Sequence, residues 1–270
     1  MRVIRFAHTS IGAGFPAARI AASRREDRDW AVGHGGGRGV RVCVVDSGVD
    51  RRHSLLGALV DSYRIVERDG SWGVDPDDGG DPTGHGTACA GIIRAVAPEC
   101  ELTSLRVLGG NNRGSGAGLF AGLRWAVEQR FPLISLSLST QRSAVKEALH
   151  DLTDQAYFEG VTFIAAAHNS PVSSYPWRFS SVISVGSHNH QDPLRVETNP
   201  NPPVEFFGAG VRIRVAWPDG GTRVVSGNSF ATPHITGICA RILGEHPEFR
   251  TTQLRHVLAV MSDNLEGDLP

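Results

Sequence analysis

Lysine is nearly missing from this chain: Lys146 stands alone, and arginine makes up the rest of the 27 basic residues set against 28 acidic ones. We read that bias as genome composition. The formal net charge of −1 leaves no global field to draw in nucleic acid or an anionic membrane, so neither is expected as a partner. Long apolar runs are missing too. No stretch approaches the roughly 18 residues that span a bilayer, and Met1 to Ile20 has no continuous apolar segment of the kind a secretory leader needs. Cysteine is scarce. Cys43 falls in an apolar strand pattern, Cys89 and Cys239 fall in helical patterns, and Cys100 carries no signal. Four such thiols do not make a disulfide framework, so reduced cysteines and a cytoplasmic setting are expected.

What is present describes one globular α/β domain of 270 residues, 40% hydrophobic, with 32 glycines. Residues 1–39 read as an irregular N-terminal arm with one short helix, ending in the glycines of 33–39; residues 40–270 read as the domain. Val40 to Val45 is a β-branched run suited to a strand covered on both faces, and Asp46-Ser47-Gly48 turns the chain after it. The polar stretch Glu67 to Gly84 reads as a surface loop. Helical patterns follow at 85–95, 116–129, 143–160, 229–243 and 251–261, with strands at 102–108, 133–138, 161–166 and 182–187 and two short ones within 211–225. Alternation of this kind predicts a parallel sheet between helices, with reactive groups at the carboxyl ends of strands.

Three stretches stand where such a sheet would place chemistry. Asp46 follows the first strand, His85 sits in Thr83-Gly84-His85-Gly86-Thr87 at a helix mouth, and Ser229 sits in Gly227-Asn228-Ser229-Phe230-Ala231-Thr232-Pro233 at another. Taken singly they are a turn former, a surface or core histidine and a helix cap. Taken together they supply what a serine nucleophile needs: a base to accept its proton and an acid to orient the base.

These stretches resemble the aspartate, histidine and serine signatures of the subtilisin family, in that family's chain order, and the likeness extends over roughly Val40 to Leu243. Ser47 stands where threonine is common, Cys89 is similar to the proteinase K branch, and Asn228 replaces the usual threonine. The resemblance implies a three-layer α/β fold, a twisted parallel sheet with helices on both faces, and a monomeric serine endopeptidase with no cofactor or metal in its site. Ala165-Ala166-Ala167-His168-Asn169 resembles the segment that carries the oxyanion asparagine, which assigns that role to Asn169. Asn112-Arg113-Gly114 and Ser137-Leu138-Ser139 resemble the two segments that clamp an extended peptide or protein substrate by main-chain hydrogen bonds. Ser139 stands where glycine is frequent, and Ser174 is expected at the floor of the first specificity pocket. No acidic residue occurs in the matched pocket segments, which favours a neutral or apolar side chain there. His168 and His234 are expected to be packing residues, and Cys89 a small buried hydrophobe or a thiol open to mercurials.

Other readings stay open at this stage. The same fold could pass its acyl group to an amine as a transpeptidase or macrocyclase, and a non-catalytic peptide-binding relative is conceivable. An α/β-hydrolase esterase is disfavoured: its elbow reads Gly-x-Ser-x-Gly and its histidine comes last. The acidic run 75–81 could ligate calcium, whereas the helix after His85 runs almost directly into Ala97-Pro98 and leaves no calcium loop there. Only 39 residues precede the first strand, fewer than the folding prosegment of secreted members. That points to an intracellular enzyme that folds unaided and does specialised processing, or to a trimmed, secreted mature form.

Overall fold

The computed structural model describes residues 28–33, 35–57, 61–201 and 203–264. Most of the N-terminal arm lies outside them; its short helix is α1, Arg28–Val32.

Nine strands form the main sheet: β1 Arg41–Asp46, β2 Asp61–Arg68, β3 Ser71–Pro76, β4 Glu101–Arg106, β5 Leu133–Leu136, β6 Thr162–Ala166, β7 Val182–His188, β8 Glu197–Thr198 and β9 Phe206–Ala209. Their order is β3-β2-β4-β1-β5-β6-β7-β9-β8. The inner seven are parallel, and only the edge pairs β2–β3 and β8–β9 are antiparallel. β6 is buried at every position, which is why its sequence, TFIAA, has no polar alternation.

Helices cover both faces. Those after α1 are α2 His85–Val96, α3 Gly116–Glu128, α4 Lys146–Glu159, α5 Asn228–Glu245 and α6 Thr251–Val260. α2, α5 and α6 bury Ile93, Ile235, Ile238 and Leu254 against one face through Val42, Val44 and Ile164. α3 and α4 bury Leu123, Ala126, Leu149 and Leu152 against the other through Cys43, Val45, Ile134 and Phe163. A separate antiparallel pair, β10 Ile213–Trp217 and β11 Gly221–Val225, packs over α2 and Phe230. All four cysteines are free and buried. Among the described residues no helix is long and apolar enough to cross a membrane.

The stretch 67–84 is not a loop throughout. Its first part completes the β2–β3 hairpin, closed by Asp69 and Gly70, both with positive φ (50° and 77°). Two such residues make the hairpin turn whose twist matches its strands, and Asp-Gly is the sequence signal for it. The 143–160 helix opens with one 3-10 turn, Ser143–Val145, and ends at Gly160.

From β1 the chain first builds outward through β2 and β4 on one side, then returns to β5 on the other. β1 therefore lies between β4 and β5 at a reversal of strand order, where an α/β sheet leaves a crevice at its carboxyl edge. Asp46 is the last residue of β1.

Candidate active site

Asp46 is 1% exposed, and its carboxylate receives His85 Nδ1 at 2.8 and 3.0 Å. The backbone N–H of Ser47 donates to the same carboxylate. His85 opens α2, and a close backbone approach and a shared aspartate hold the helix against the end of β1. A Cβ at Gly86 would lie 2.0 Å from the Gly48 carbonyl oxygen, so only glycine lets these segments meet. Asp81 then ties them together, accepting from Ser47 Oγ (2.8 Å), Thr83 N (3.1 Å), Thr87 N (2.8 Å) and Thr87 Oγ1 (2.7 Å).

Burial is the largest single influence and pulls the His85 imidazole toward its neutral form, but the charge and hydrogen bond of Asp46, with Cys89 adding to them, together outweigh it and raise the pKa above the usual histidine value. Phe230 covers the ring with centroids 5.1 Å apart. His85 Nδ1 is engaged by Asp46, which leaves Nε2 as the nitrogen to exchange protons with a neighbour.

Ser229 lies in the first turn of α5, and both it and His85 line one cavity of about 290 Å³. No hydrogen bond joins Ser229 Oγ to His85 here. Serine hydroxyls swing about χ1, and such contacts close when substrate arrives. The backbone of Ser229 is held from an unexpected quarter. Pro233 stands inside α5 and has no N–H, so the Ser229 carbonyl loses its normal helical partner. Ser137 Oγ donates to it instead at 2.7 Å, and Cys89 Sγ approaches at 3.6 Å. Cys89 is fully buried, and desolvation raises its thiol pKa. It therefore serves as a small neutral donor beside the imidazole, not as an open thiolate.

Asn169 follows β6 at the cavity wall. Its Oδ1 accepts from the Asn228 backbone N–H at 3.0 Å, which fixes the amide with Nδ2 as the free donor. Gly227 has φ 152°, and a Cβ there would lie 3.4 Å from Ser229 Oγ and 3.5 Å from Asn169 Nδ2, in the gap between them. The unusual Asn228 has a structural use. Its side chain accepts from Ser187 Oγ (2.9 Å) and donates to the Ala167 carbonyl (3.1 Å), bridging β7, the end of β6 and α5.

Leu108, Asn112, Ser137, Leu138, Ser139, Ala166, Ala167 and His168 complete the cavity lining. The pairing of β5 with its neighbours stops at Leu136, so 137–139 enters no strand of the sheet. Arg113 and Gly114 belong to the same loop as Asn112 but do not line the cavity. Ser174 corrects its expectation. It is fully buried, its hydroxyl accepts from the Trp177 indole N–H at 2.9 Å, and it is not part of the lining. His168 corrects in the other direction, since it lines the cavity, whereas His234 is packed inside with Nδ1 bonded to the Phe230 carbonyl.

In the acidic run, Asp75 pairs with Arg68, Asp77 with Arg106 at 2.8 Å, and Asp81 with the hydroxyls and amides above. Among the described residues, the one group of three potential metal ligands is Asp46, His85 and Cys89.

An imidazole held by a buried carboxylate, beside a serine at a helix start and an oriented amide, describes the site of a serine hydrolase. The subtilase family profile matches residues 37–268, and the chain belongs to that family as a subtilisin-like serine peptidase. Alkaline serine exoprotease A of Vibrio alginolyticus is 33% identical over 232 residues, 82% of this chain and 42% of that protein. Subtilisin DY of Bacillus licheniformis is 28% identical over 263 residues, 90% of each. The minor extracellular protease Epr of Bacillus subtilis is 30% identical over 81% of this chain and 34% of its own length. The chain thus spans less than half of two of these relatives. A cold-adapted subtilisin-like serine proteinase of known structure matches at 31% identity and TM-score 0.69, covering 83% of this chain and 82% of its own. Sphericase matches at 26% identity and TM-score 0.70, with 83% of each chain covered.

Proposed function

We propose that the chain is a serine endopeptidase that cuts peptide bonds through an acyl-enzyme on Ser229. The observation that carries the assignment is the His85 imidazole held at 2.8 Å by a fully buried Asp46, in the cavity that Ser229 and Asn169 share. An extended peptide lies along 112–114 and 137–139 with its scissile carbonyl at Ser229. Ser229 Oγ attacks the carbonyl carbon while His85 Nε2 takes the hydroxyl proton, and Asp46 stabilises the imidazolium. Negative charge develops on the carbonyl oxygen, where Asn169 Nδ2 and the Ser229 backbone N–H donate. The tetrahedral intermediate collapses, His85 protonates the departing amine, and the acyl-serine remains. Water, deprotonated by His85, then attacks the ester; collapse releases the carboxylic acid and returns the proton to Ser229.

Relatives named as proteases support water over an amine as the acyl acceptor. Residues 40–270 form the peptidase domain in this reading, with α1 of the preceding arm docked on α5, and the chain acts as a monomer on peptide or protein substrates. The cytoplasmic expectation finds no support among the relatives. Epr is named as extracellular, and an extracellular setting is the one we adopt.

The test is hydrolysis of casein and of a quenched peptide, with fluorophosphonate labelling. Wild type should cleave internal bonds and be labelled at Ser229, and Ser229→Ala should do neither. Folded wild type that resists labelling would end the proposal.

A further inference from the structure

Several polar groups in the cavity are already committed. The Ser137 hydroxyl is spent on the Ser229 carbonyl, and the Asn169 Oδ1 is spent on the Asn228 backbone N–H. Among the described residues, the side chains of Asn112 and Ser139 and the Nε2 of His168 have no hydrogen-bond partner.

His168 is the informative one. Its Nδ1 lies 3.0 Å from the Ser170 backbone nitrogen and 3.1 Å from the Ser170 carbonyl oxygen. A neutral ring with its proton on Nε2 accepts the Ser170 N–H at Nδ1. A charged ring donates Nδ1–H to the Ser170 carbonyl, and Nε2 is again protonated. In both of these states Nε2 donates; a neutral ring with its proton on Nδ1 also satisfies the Ser170 carbonyl and leaves Nε2 an acceptor, which the N–H of a glutamine side chain can meet.

Among the described residues no aspartate or glutamate lines the cavity, and the one other titratable group in its wall is His85. The cavity lies between the carboxyl ends of β5 and β6, with Ser229 and Asn169 in its wall. When a substrate carbonyl sits at Ser229, the side chain on the acyl side of that bond is the one that enters.

We propose that His168, with Ser139 and Asn112 beside it, is a specificity-determining residue that selects an acyl-side residue bearing a carbonyl or carboxylate oxygen, glutamine or glutamate. This rests on the peptidase reading above and names its substrate class. An aliphatic side chain would cover the Nε2–H and the Ser139 hydroxyl while offering them no acceptor. A lysine or arginine would bring a cation beside His168 with no carboxylate to receive it. Sites that hydrogen-bond a substrate group reject analogues that lack it, because their own polar groups are left unpaired. One such unpaired donor in a site open to solvent corresponds to about tenfold in kcat/KM.

The experiment uses quenched peptides alike except for glutamine, glutamate, leucine or lysine on the acyl side. Wild type, His168→Ala and His168→Asp are compared, each at a concentration of reactive Ser229 set by fluorophosphonate titration. For wild type, kcat/KM should favour glutamine and glutamate over leucine by about tenfold or more, with lysine lowest. His168→Ala should collapse the ratio to within about threefold, and His168→Asp should raise lysine above glutamate. Titrated wild type that prefers leucine, or an unchanged ratio in titrated His168→Ala, would overturn the assignment while leaving the peptidase reading intact. Wild type that takes up no fluorophosphonate would overturn both.

Discussion

His234 gives a stability prediction whose size can be worked through. It lies in the second turn of α5 at 7% exposure, and burial, with His188 nearby, lowers its pKa from 6.5 to about 4. The native state therefore keeps this ring neutral where the unfolded chain protonates it. Between pH 6.5 and about 4 the unfolded state binds the additional proton, so native stability falls as pH falls. Each pH unit within that window costs up to about 1.4 kcal/mol, and the window spans about 2.5 units, for a loss of about 3 kcal/mol. Carboxylates titrate in part of the same range, so the observable is a difference between two proteins. Denaturant unfolding at pH 7, 6, 5 and 4 should be compared for Ser229→Ala and for Ser229→Ala/His234→Gln, the first substitution preventing self-digestion. The glutamine chain starts less stable, but its stability should fall by about 3 kcal/mol less over the series. Parallel curves would show that His234 does not carry the acid sensitivity and would refute the reasoning.

Four more outcomes are expected. The raised His85 pKa should place the acid limb of the kcat/KM profile above 6.5, because the base must be neutral. Its ion pair with Asp46 stabilises the fold fully below pH 6.5 and is lost as pH rises through the raised value. In Asp46→Asn the limb should move down and kcat should fall about 10⁴-fold, as in other serine peptidases. Asn169→Ala should lower kcat by about 10²–10³ with little change in KM, the range known for oxyanion donors of this class. Asn228→Ala should lower kcat about tenfold, and by less when Asn169 is already alanine; additive losses would exclude positioning through Asn169. Asp81→Ala leaves the buried Ser47 O–H, Thr87 O–H and Thr87 N–H donors without an acceptor and should cost about 3 kcal/mol by denaturant unfolding of the Ser229→Ala chain.

The fold was largely legible because its strands and helices obey one rule apiece. β1, β5, β6 and β7 are buried on both faces, so their sequences are mostly apolar, with small polar residues such as Ser135 and Ser184 admitted inside. β2 and β3 hid because they form a half-exposed edge, where arginine, glutamate and aspartate are tolerated and polarity resembles that of a loop. The Asp69-Gly70 pair within that stretch was the available signal. β9 hid behind Gly208, whose missing side chain leaves room for α5: a Cβ there would come 3.0 Å from the Ala231 carbonyl oxygen. Of the site, Asp46, His85 and Ser229 stand out in the sequence because glycines at 48, 84, 86 and 227 flank them, and Asn169 because the segment 165–169 resembles its counterpart in the family. His168 was not, because nothing in a sequence says which side of a turn a ring will face. Ser174 misled because a small residue suggests open space, whereas its hydroxyl is consumed by Trp177.

Pro233 has a reach beyond its own turn. One absent hydrogen leaves the Ser229 carbonyl to be claimed from outside the helix, by a hydroxyl at the end of β5 and a thiol from α2. Sheet, histidine helix and serine helix thus meet at a single oxygen atom. Restoring an amide with Pro233→Ala would let α5 close on itself and set those two donors adrift. What looks like a helix defect is the joint by which three parts of the molecule share one alignment.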